Sequence, residues 1–151
     1  MELIALGCDH GGFALMEAVI KHLEQRGIEY KNFGVYECKS VDYPDIALPV
    51  AEMVASGQAE KGILICGTGI GMSIAANKVT GIRASVCGEE FSTKFTRLHN
   101  DSNILCLGAR VTGEGLALSL VDLYIDTPFE GDRHTARVEK ITEIERKYSH
   151  E

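Results

Sequence analysis

Apolar residues along the chain fall into two alternating patterns, namely short continuous runs and longer stretches with about one apolar residue per helical turn. The short runs predict strands over residues 3–6, 28–33, 62–66, 82–87 and 103–107. The longer stretches predict helices over residues 13–26, 45–56, 72–78, 89–98, 113–124 and 134–148. Strands that alternate with helices are typical of a parallel sheet covered by helices. We therefore expect one α/β domain over residues 1–151, a three-layer α/β/α, Rossmann-like fold with a five-stranded parallel sheet.

Glycine and proline residues mark the ends of two predicted helices. Gly27 follows the first helix at the position of a C-cap glycine, and the second helix stops at Gly57. Pro49 lies inside the second helix and is able to shorten its first turn, so the start of that helix stays open.

Composition narrows the class of protein and its partners. The chain has 151 residues, of which 45% are apolar and 25% charged, and a chain of this size buries roughly two-thirds of its unfolded surface. It has no run of about 18 apolar residues, and its N-terminus lacks the basic flank of a signal peptide, so we expect a cytoplasmic protein with no membrane partner. The formal net charge of −7 opposes binding to nucleic acid but leaves a small phosphorylated substrate open.

The five cysteines do not form a metal or disulfide pattern. They stand at positions 8, 38, 66, 87 and 106, without a CxxC pair and without the His/Cys spacing of a zinc site. We expect reduced thiols.

Polar and glycine-rich residues follow three of the predicted strands. Ligands of open parallel sheets bind beyond the carboxyl ends of the strands. The segments at those ends are residues 8–12, 66–71 and 108–110, with the sequences CDHGG, CGTGIG and GAR. We therefore expect the chemistry at this edge of the sheet.

The segment GTGIG, residues 67–71, places three glycines between a buried strand and a helix. Its backbone N–H groups are able to converge on a phosphate or an enediolate, although the glycines also suit a plain tight turn. A P-loop and a dinucleotide fingerprint both fail at Met72. Glu89 nevertheless follows the next strand, where a ribose-binding acid would lie, so a nucleotide-binding alternative stays open.

Cys66 ends the buried strand directly before these glycines. Converging N–H dipoles favour a thiolate, which is able to act as a base or a nucleophile, and Thr68 is near enough in sequence to hydrogen-bond it. The alternative is an inert buried cysteine, as we expect for Cys8, Cys87 and Cys106.

Histidines and arginines supply further candidates. His10 and His99 are candidate catalytic or structural histidines, while His22 and His150 are expected to face solvent. Asp9, beside His10 in a turn, is able to position a ligand hydroxyl.

Arg133, His134 and Arg137 form a compact cationic group. The two arginines stand one helical turn apart and are able to grip one phosphate. The alternative is a solvated helix start, in which nearby acids pair with them, namely Glu130, Asp132 and Glu139.

Six motifs along the chain resemble one known family. They are GCDHGG at 7–12, DYPD at 42–45, ICGTGIGMSIAANK at 65–78, GIRA at 81–84, RLHND at 97–101 and GDRHTARV at 131–138. Together they resemble the type B ribose-5-phosphate isomerases and the related galactose-6-phosphate isomerase subunits. The resemblance covers essentially the whole chain in order.

This resemblance implies an enzyme of the pentose phosphate pathway that interconverts D-ribose 5-phosphate and D-ribulose 5-phosphate without a metal or an organic cofactor. It implies that Cys66 is the base, that Thr68 assists it, and that His99 opens the furanose ring. It further implies a set of residues that bind the substrate: Asp9, His10, Tyr43, Gly67, Gly69, Ile70, Gly71, Asn100, Arg110, Arg133 and Arg137.

One branch of the family has a glutamate base four to six residues beyond the cysteine position. This chain has Met72 and apolar or small residues there, so the resemblance makes Cys66 the base.

The predicted topology separates two groups of site residues. His99 and Asn100 end a helix just before the fifth strand, so within one chain they lie on the opposite edge of the sheet from Cys66. The family's homodimers share active sites, and we expect the same here, with the C-terminal helix packing on the partner subunit and tetramers remaining possible. The family also suggests a strand order beginning 2-1-3.

Two alternatives to a pentose phosphate isomerase stay open. The first is an isomerase of a hexose 6-phosphate, such as allose or galactose 6-phosphate. The second is a non-catalytic nucleotide-binding α/β module.

Overall fold

The five strands form one sheet in which every strand runs parallel to its neighbours. The structure, a computed structural model, describes residues 2–34 and 41–149, so Cys38 and His150 lie outside the described residues. The strands, in chain order, are β1 (Leu3–Cys8), β2 (Glu29–Asn32), β3 (Lys61–Cys66), β4 (Ala84–Val86) and β5 (Ile104–Gly108). Their spatial order is β2-β1-β3-β5-β4. The predicted fold class is confirmed, and so is a strand order that begins 2-1-3.

Helices cover both faces of the sheet. They are α1 (Phe13–Gln25), α2 (Tyr43–Ala55), α3 (Ile70–Ala76), α4 (Glu90–Asn100), α5 (Glu114–Asp126) and α6 (Arg133–Lys147), and a 3-10 turn at His10–Gly12 precedes α1. Helices α1 and α5 contact each other on one face, and α2 and α3 contact each other on the other. Helix α4 packs on α5, and α6 rests on α4. Among the described residues, no helix has the length and apolar character needed to cross a bilayer.

Alternate side chains of β3 pack into two separate apolar cores, one on each face of the sheet. Ile63 and Ile65 belong to the core beneath α1 and α5, whereas Leu64 and Cys66 belong to the core beneath α2 and α3. A strand buried on both faces requires apolar residues at every position. This explains the continuous apolar run GILIC in the sequence.

Most predicted boundaries differ from the observed ones by one or two residues, and three of the differences are informative. Helix α2 begins at Tyr43, two residues earlier than predicted, because Pro44 occupies a first-turn position where its fixed φ suits a helix. Helix α3 begins at Ile70 instead of Met72, since Gly69 takes a left-handed conformation with φ of 81° and starts the helix. Strand β4 has three residues instead of six and lies at the edge of the sheet.

The strand order reverses between β1 and β3. From β1 the chain moves outward to β2 and then returns to pair β3 on the other side of β1. Loops at such a reversal leave the sheet in opposite directions and open a crevice beyond the strand ends. The loops after β1 and β3 border that crevice.

The end of β5 supports the loop that follows β3. A Cβ on Gly108 would lie 2.7 Å from the carbonyl carbon and oxygen of Thr68. We expect Gly108→Ala to lower the free energy of unfolding by about 1–3 kcal/mol, because the methyl group would push two backbones apart. Urea denaturation measures this difference.

Gly115 supplies the matched control. It lies exposed in α5, and nothing described lies within 4 Å of the Cβ it lacks. Gly115→Ala should raise the free energy of unfolding by about 0.5–1 kcal/mol, the usual gain in helix propensity. Equal effects of the two substitutions would contradict a close backbone contact at Gly108.

Candidate active site

The loop of residues 67–71, called the glycine loop below, is held in place by its own backbone. Gly69 has a φ of 81°, and a Cβ there would lie 3.0 Å from the carbonyl carbon of Leu107. Only glycine meets both conditions without strain. The loop therefore sits directly on the end of β5.

Cys66 places its sulfur inside this loop. The residue is 6% exposed, and its Sγ accepts the N–H of Gly69 at 3.1 Å. Thr68 was expected to bond the thiol, but its Oγ1 instead accepts the N–H of Ile70 at 3.2 Å. The backbone amide of Gly69, and not a side chain, thus points its dipole at the sulfur.

Tyr43 covers the far end of the glycine loop. A Cβ on Gly71 would lie 2.7 Å from Cε1 of the Tyr43 ring, so the ring rests against the loop backbone. Gly71 is the second residue of α3, and first-turn N–H groups have no acceptor within their helix. The Tyr43 ring is 41% exposed and walls this end of the crevice.

Asp9 organises the neighbouring loop after β1. Its Oδ1 accepts the N–H groups of Gly11 at 2.9 Å and Gly12 at 3.2 Å, and its own N–H donates to the carbonyl of Ile65 at 3.2 Å. A Cβ on Gly11 would lie 3.7 Å from the backbone nitrogen of Gly67. The loops after β1 and β3 are therefore adjacent, and Oδ2 of Asp9 is the oxygen that would meet a ligand hydroxyl.

Arg110 arrives from the loop after β5. The N–H of Ala109 donates to the carbonyl of Cys66 at 2.8 Å, and that of Arg110 donates to the carbonyl of Gly67 at 3.0 Å. The Arg110 side chain runs alongside Gly67, because a Cβ on that glycine would lie 3.6 Å from Cδ of Arg110. The strand-end site defined by these contacts contains Asp9, Tyr43, Cys66, the glycine loop and Arg110, and His10 follows Asp9 in the 3-10 turn of the same loop.

The remaining predicted residues lie at the other end of the strands. Gly108 pairs with Cys66, whereas His99 and Asn100 end α4 shortly before Ile104, the first residue of β5. The five residues of β5 span about 16 Å at a rise of about 3.3 Å each. Arg133 and Arg137 belong to α6, which rests on α4. One chain therefore presents two groups of candidate residues.

His99 is surrounded by aromatic rings. Its imidazole stacks on that of His134, with centroids 4.0 Å apart and planes 13° apart, and Phe95 meets it edge-on at 4.8 Å. The Oε2 of Glu130 lies 3.8 Å from its Nε2. These four residues form what we call the His99 cluster.

The sequence suggested that His134 forms one cationic group with Arg133 and Arg137. The structure separates His134 from the two arginines. It is 4% exposed, and burial lowers the pKa of its imidazole, with further lowering by His99 and by the adjacent Arg133. It is therefore a buried neutral ring instead of a third surface cation.

The geometry of the His99 cluster does not match a metal centre. Ligand atoms of His99, Glu130 and His134 lie within 4.8 Å of one another. However, nearly parallel rings direct their lone pairs side by side, and zinc requires both nitrogens at about 2.0–2.1 Å. One ring would have to turn before both could bind the same ion.

Arg97 connects α4 to the segment that carries Glu130 and His134. This 7% exposed residue donates from Nε to the carbonyl of Thr127 at 3.0 Å and from Nη1 to the carbonyl of Ser102 at 2.6 Å. The N–H of Glu130 also donates to the carbonyl of Leu98 at 3.0 Å. Sequence reasoning missed Arg97, because an arginine on a polar helix is usually solvent-facing.

Several charged residues have contacts that differ from those predicted from the sequence. Within residues 2–34 and 41–149, no carboxylate forms an ion pair with Arg133 or Arg137, so both guanidinium groups remain available. Both carboxylate oxygens of Glu89 accept the N–H of Ser92 at 3.0 Å, a helix cap instead of a ribose contact. His22, expected to face solvent, is half-buried with its Nε2 2.8 Å from Asp122.

We expect Arg97→Ala to lower the free energy of unfolding by about 3 kcal/mol, because two buried carbonyls lose their donor. Chemical denaturation of the variant measures this loss. Lys94→Ala, at an exposed position of the same helix, is the matched control and should change little. A small effect at Arg97 would show that solvent replaces its hydrogen bonds.

Comparison with known proteins agrees with this geometry. A sequence model of the Ribose/Galactose Isomerase family matches residues 4–141. Ribose-5-phosphate isomerase B of Escherichia coli K12 is 50% identical over 97% of this chain and 99% of that protein.

Solved structures give the same result. Ribose-5-phosphate isomerase B of Clostridium thermocellum superposes with a TM-score of 0.95 at 53% identity, over 97% of this chain and 99% of that one. Ribose 5-phosphate isomerase of Thermotoga maritima superposes with a TM-score of 0.91 at 46% identity, over 94% and 98% of the two chains. The chain therefore belongs to the ribose/galactose isomerase family.

Proposed function

We propose that this protein is an aldose–ketose isomerase that interconverts D-ribose 5-phosphate and D-ribulose 5-phosphate. The observation that carries the proposal is the Cys66 sulfur, which accepts the N–H of Gly69 in the glycine loop at the strand ends, with the Arg110 side chain alongside Gly67 of that loop. A base next to oxyanion donors and a phosphate-binding cation is what proton transfer in a sugar phosphate requires. The names of the relatives agree with this reaction.

The reaction moves one proton between two neighbouring carbons. The Cys66 thiolate removes the proton from C2 of the open-chain aldose. The electron pair of that C–H bond forms the C1–C2 double bond, and the π pair of the C1 carbonyl moves to its oxygen. The resulting cis-enediolate receives N–H donors from the glycine loop, each worth about 2.7–4 kcal/mol in comparable sites. The thiol then returns the proton to C1 while the proton of the O2 hydroxyl moves to O1, which leaves a hydroxymethyl group at C1 and a ketone at C2.

Thr68 and Asp9 hold the substrate during this step. The Oγ1 of Thr68 accepts from Ile70, so its own O–H hydrogen remains to donate to a sugar oxygen. The Oδ1 of Asp9 is engaged by two loop amides, which fixes the carboxylate and directs Oδ2 toward a sugar hydroxyl. His10 and Arg110 border the same crevice and would bind the phosphate.

A second copy of the chain would complete the site. Ring opening needs His99 to donate a proton to the furanose oxygen while the C1 hydroxyl loses its own, yet His99 and Cys66 lie at opposite ends of the strands. Helix α6 and its C-cap residue form an exposed apolar stripe of Ile141, Ile144 and Tyr148. We propose a homodimer in which this stripe is covered and His99, Asn100, Arg133 and Arg137 reach the partner's Cys66.

The cellular setting follows from the substrate and the thiols. Cys66, Cys87 and Cys106 are free thiols and buried, as expected in a reducing compartment. We place the enzyme in the cytoplasm, where it would act in the pentose phosphate pathway.

Cys66→Ala should abolish exchange of the C2 proton, a loss of at least about 100-fold in kcat, because general base catalysis contributes on this scale. Proton NMR of ribose 5-phosphate in deuterium oxide follows both ribulose 5-phosphate and the C2 proton. Cys87→Ala, which removes another buried thiol, should keep its turnover.

A substrate series completes this experiment. Conversion of allose or galactose 6-phosphate but not of ribose 5-phosphate would identify a hexose phosphate isomerase. Binding of a nucleotide without conversion of either sugar would favour the non-catalytic alternative.

Mixing Cys66→Ala chains with His99→Ala chains should restore activity. Random pairing of two chains leaves one intact site in each mixed dimer, or about a quarter of the wild-type activity. Refolding the two variants together, with each one refolded alone as the control, measures the gain. An absence of gain despite mixed dimers detected by mass spectrometry would contradict shared sites.

A further inference from the structure

His134 is the one residue of α6 that is buried among those the structure describes. Its Nε2 has no hydrogen-bond partner within the described chain. A buried polar atom without a partner costs free energy, so its position needs a physical reason. The contact that His134 does make is the face-to-face stack on His99 at 4.0 Å.

Among the described residues, this stack is the contact that sets the plane of the His99 ring. The His99 side chain is 33% exposed, and Glu130 at 3.8 Å is too distant from its Nε2 for a hydrogen bond. Phe95 touches the imidazole only edge-on, at 4.8 Å and 74°. The plane of the His99 ring therefore depends mainly on His134.

The stack disfavours a state in which both imidazole rings carry a proton. His99 on α4 and Glu130 in the connecting segment face His134, and Arg133 and Arg137 flank it on its own helix. Burial, His99 and the two arginines lower the pKa of His134, while Glu130 raises it. A neutral ring is able to lie against His99 whether or not His99 carries a proton, whereas two imidazolium rings 4.0 Å apart would repel each other.

We propose that His134 is a positioning residue that holds the His99 ring, by stacking on its face, in the orientation from which His99 opens the sugar ring in the site of a second copy. This proposal rests on the proposed function. Arg97 holds the two rings in register, because its hydrogen bond to the carbonyl of Thr127 connects α4 to the start of the segment that leads to His134.

Two substitutions separate stacking from other roles of His134. His134→Phe keeps an aromatic face and cannot take a proton, while His134→Ala removes the face. With ribose 5-phosphate, kcat should fall at least about tenfold in His134→Ala and stay within about threefold of wild type in His134→Phe, since misorientation of a catalytic group costs on this scale. The KM should change little in either variant.

The pH profile gives a second readout. As pH falls through the pKa of His134, this ring gains a proton and the stack breaks, so wild-type kcat should fall. His134→Phe lacks this step, and its acid limb should lie at lower pH. The free energy of unfolding follows the same sign, because the unfolded chain takes up the proton at higher pH than the folded chain and stability is lost as pH falls.

Proton NMR of the His99 ring tests the geometry without turnover. Its ring protons should keep a ring-current shift in His134→Phe and lose it in His134→Ala. The matched control is His22→Ala. His22 lies on α1 and contacts the carboxylate of Asp122, so its loss should leave these signals, kcat and the acid limb unchanged.

The outcomes are distinguishable. Wild type that is folded and inactive on ribose 5-phosphate overturns the proposed function, and with it the catalytic part of this inference. Active wild type with unchanged kcat in folded His134→Ala overturns the positioning role. A rise in KM instead of a fall in kcat, or equal losses in both variants, also overturns it, because stacking would then not be what the reaction needs.

Discussion

The close approach of the glycine loop to the end of β5 is the constraint on which the rest of the site depends. Gly108 and Gly69 allow two backbones to meet where any side chain would collide with Thr68 or Leu107. This contact turns the Gly69 amide onto the Cys66 sulfur. A backbone amide is a rigid donor, so the environment of the thiol is set by the fold of the sheet itself.

The sheet and most of the strand-end site could be predicted from residues alone. The apolar run of β3 indicated burial on both faces, and the glycines after it indicated a loop of exposed amides. Both follow from local rules that one segment obeys by itself. Helix starts were less predictable, because Pro44 and Gly69 each began a helix two residues before the apolar spacing did.

The contact partners of several side chains could not be predicted from the sequence, for a different reason. Nothing in the sequence shows that Thr68 bonds forward to Ile70, or that Arg97 is buried against the carbonyl of Thr127, which is 30 residues away. His134 stood between two arginines and shared their apparent role until the structure placed it against His99. When the partner of a residue lies on a distant element, the neighbouring sequence gives no indication of that partner.

Helix α6 has few ties to its own chain. Its buried contribution is His134, and Glu145 reaches the backbone N–H of Gly81 at 3.0 Å. Elements with so little buried surface open locally at a small fraction of the global unfolding free energy, and their amides exchange rapidly with solvent. In an isolated chain, fraying of α6 would release His134 and both arginines together, so the order of this helix and the integrity of the His99 cluster are one cooperative unit.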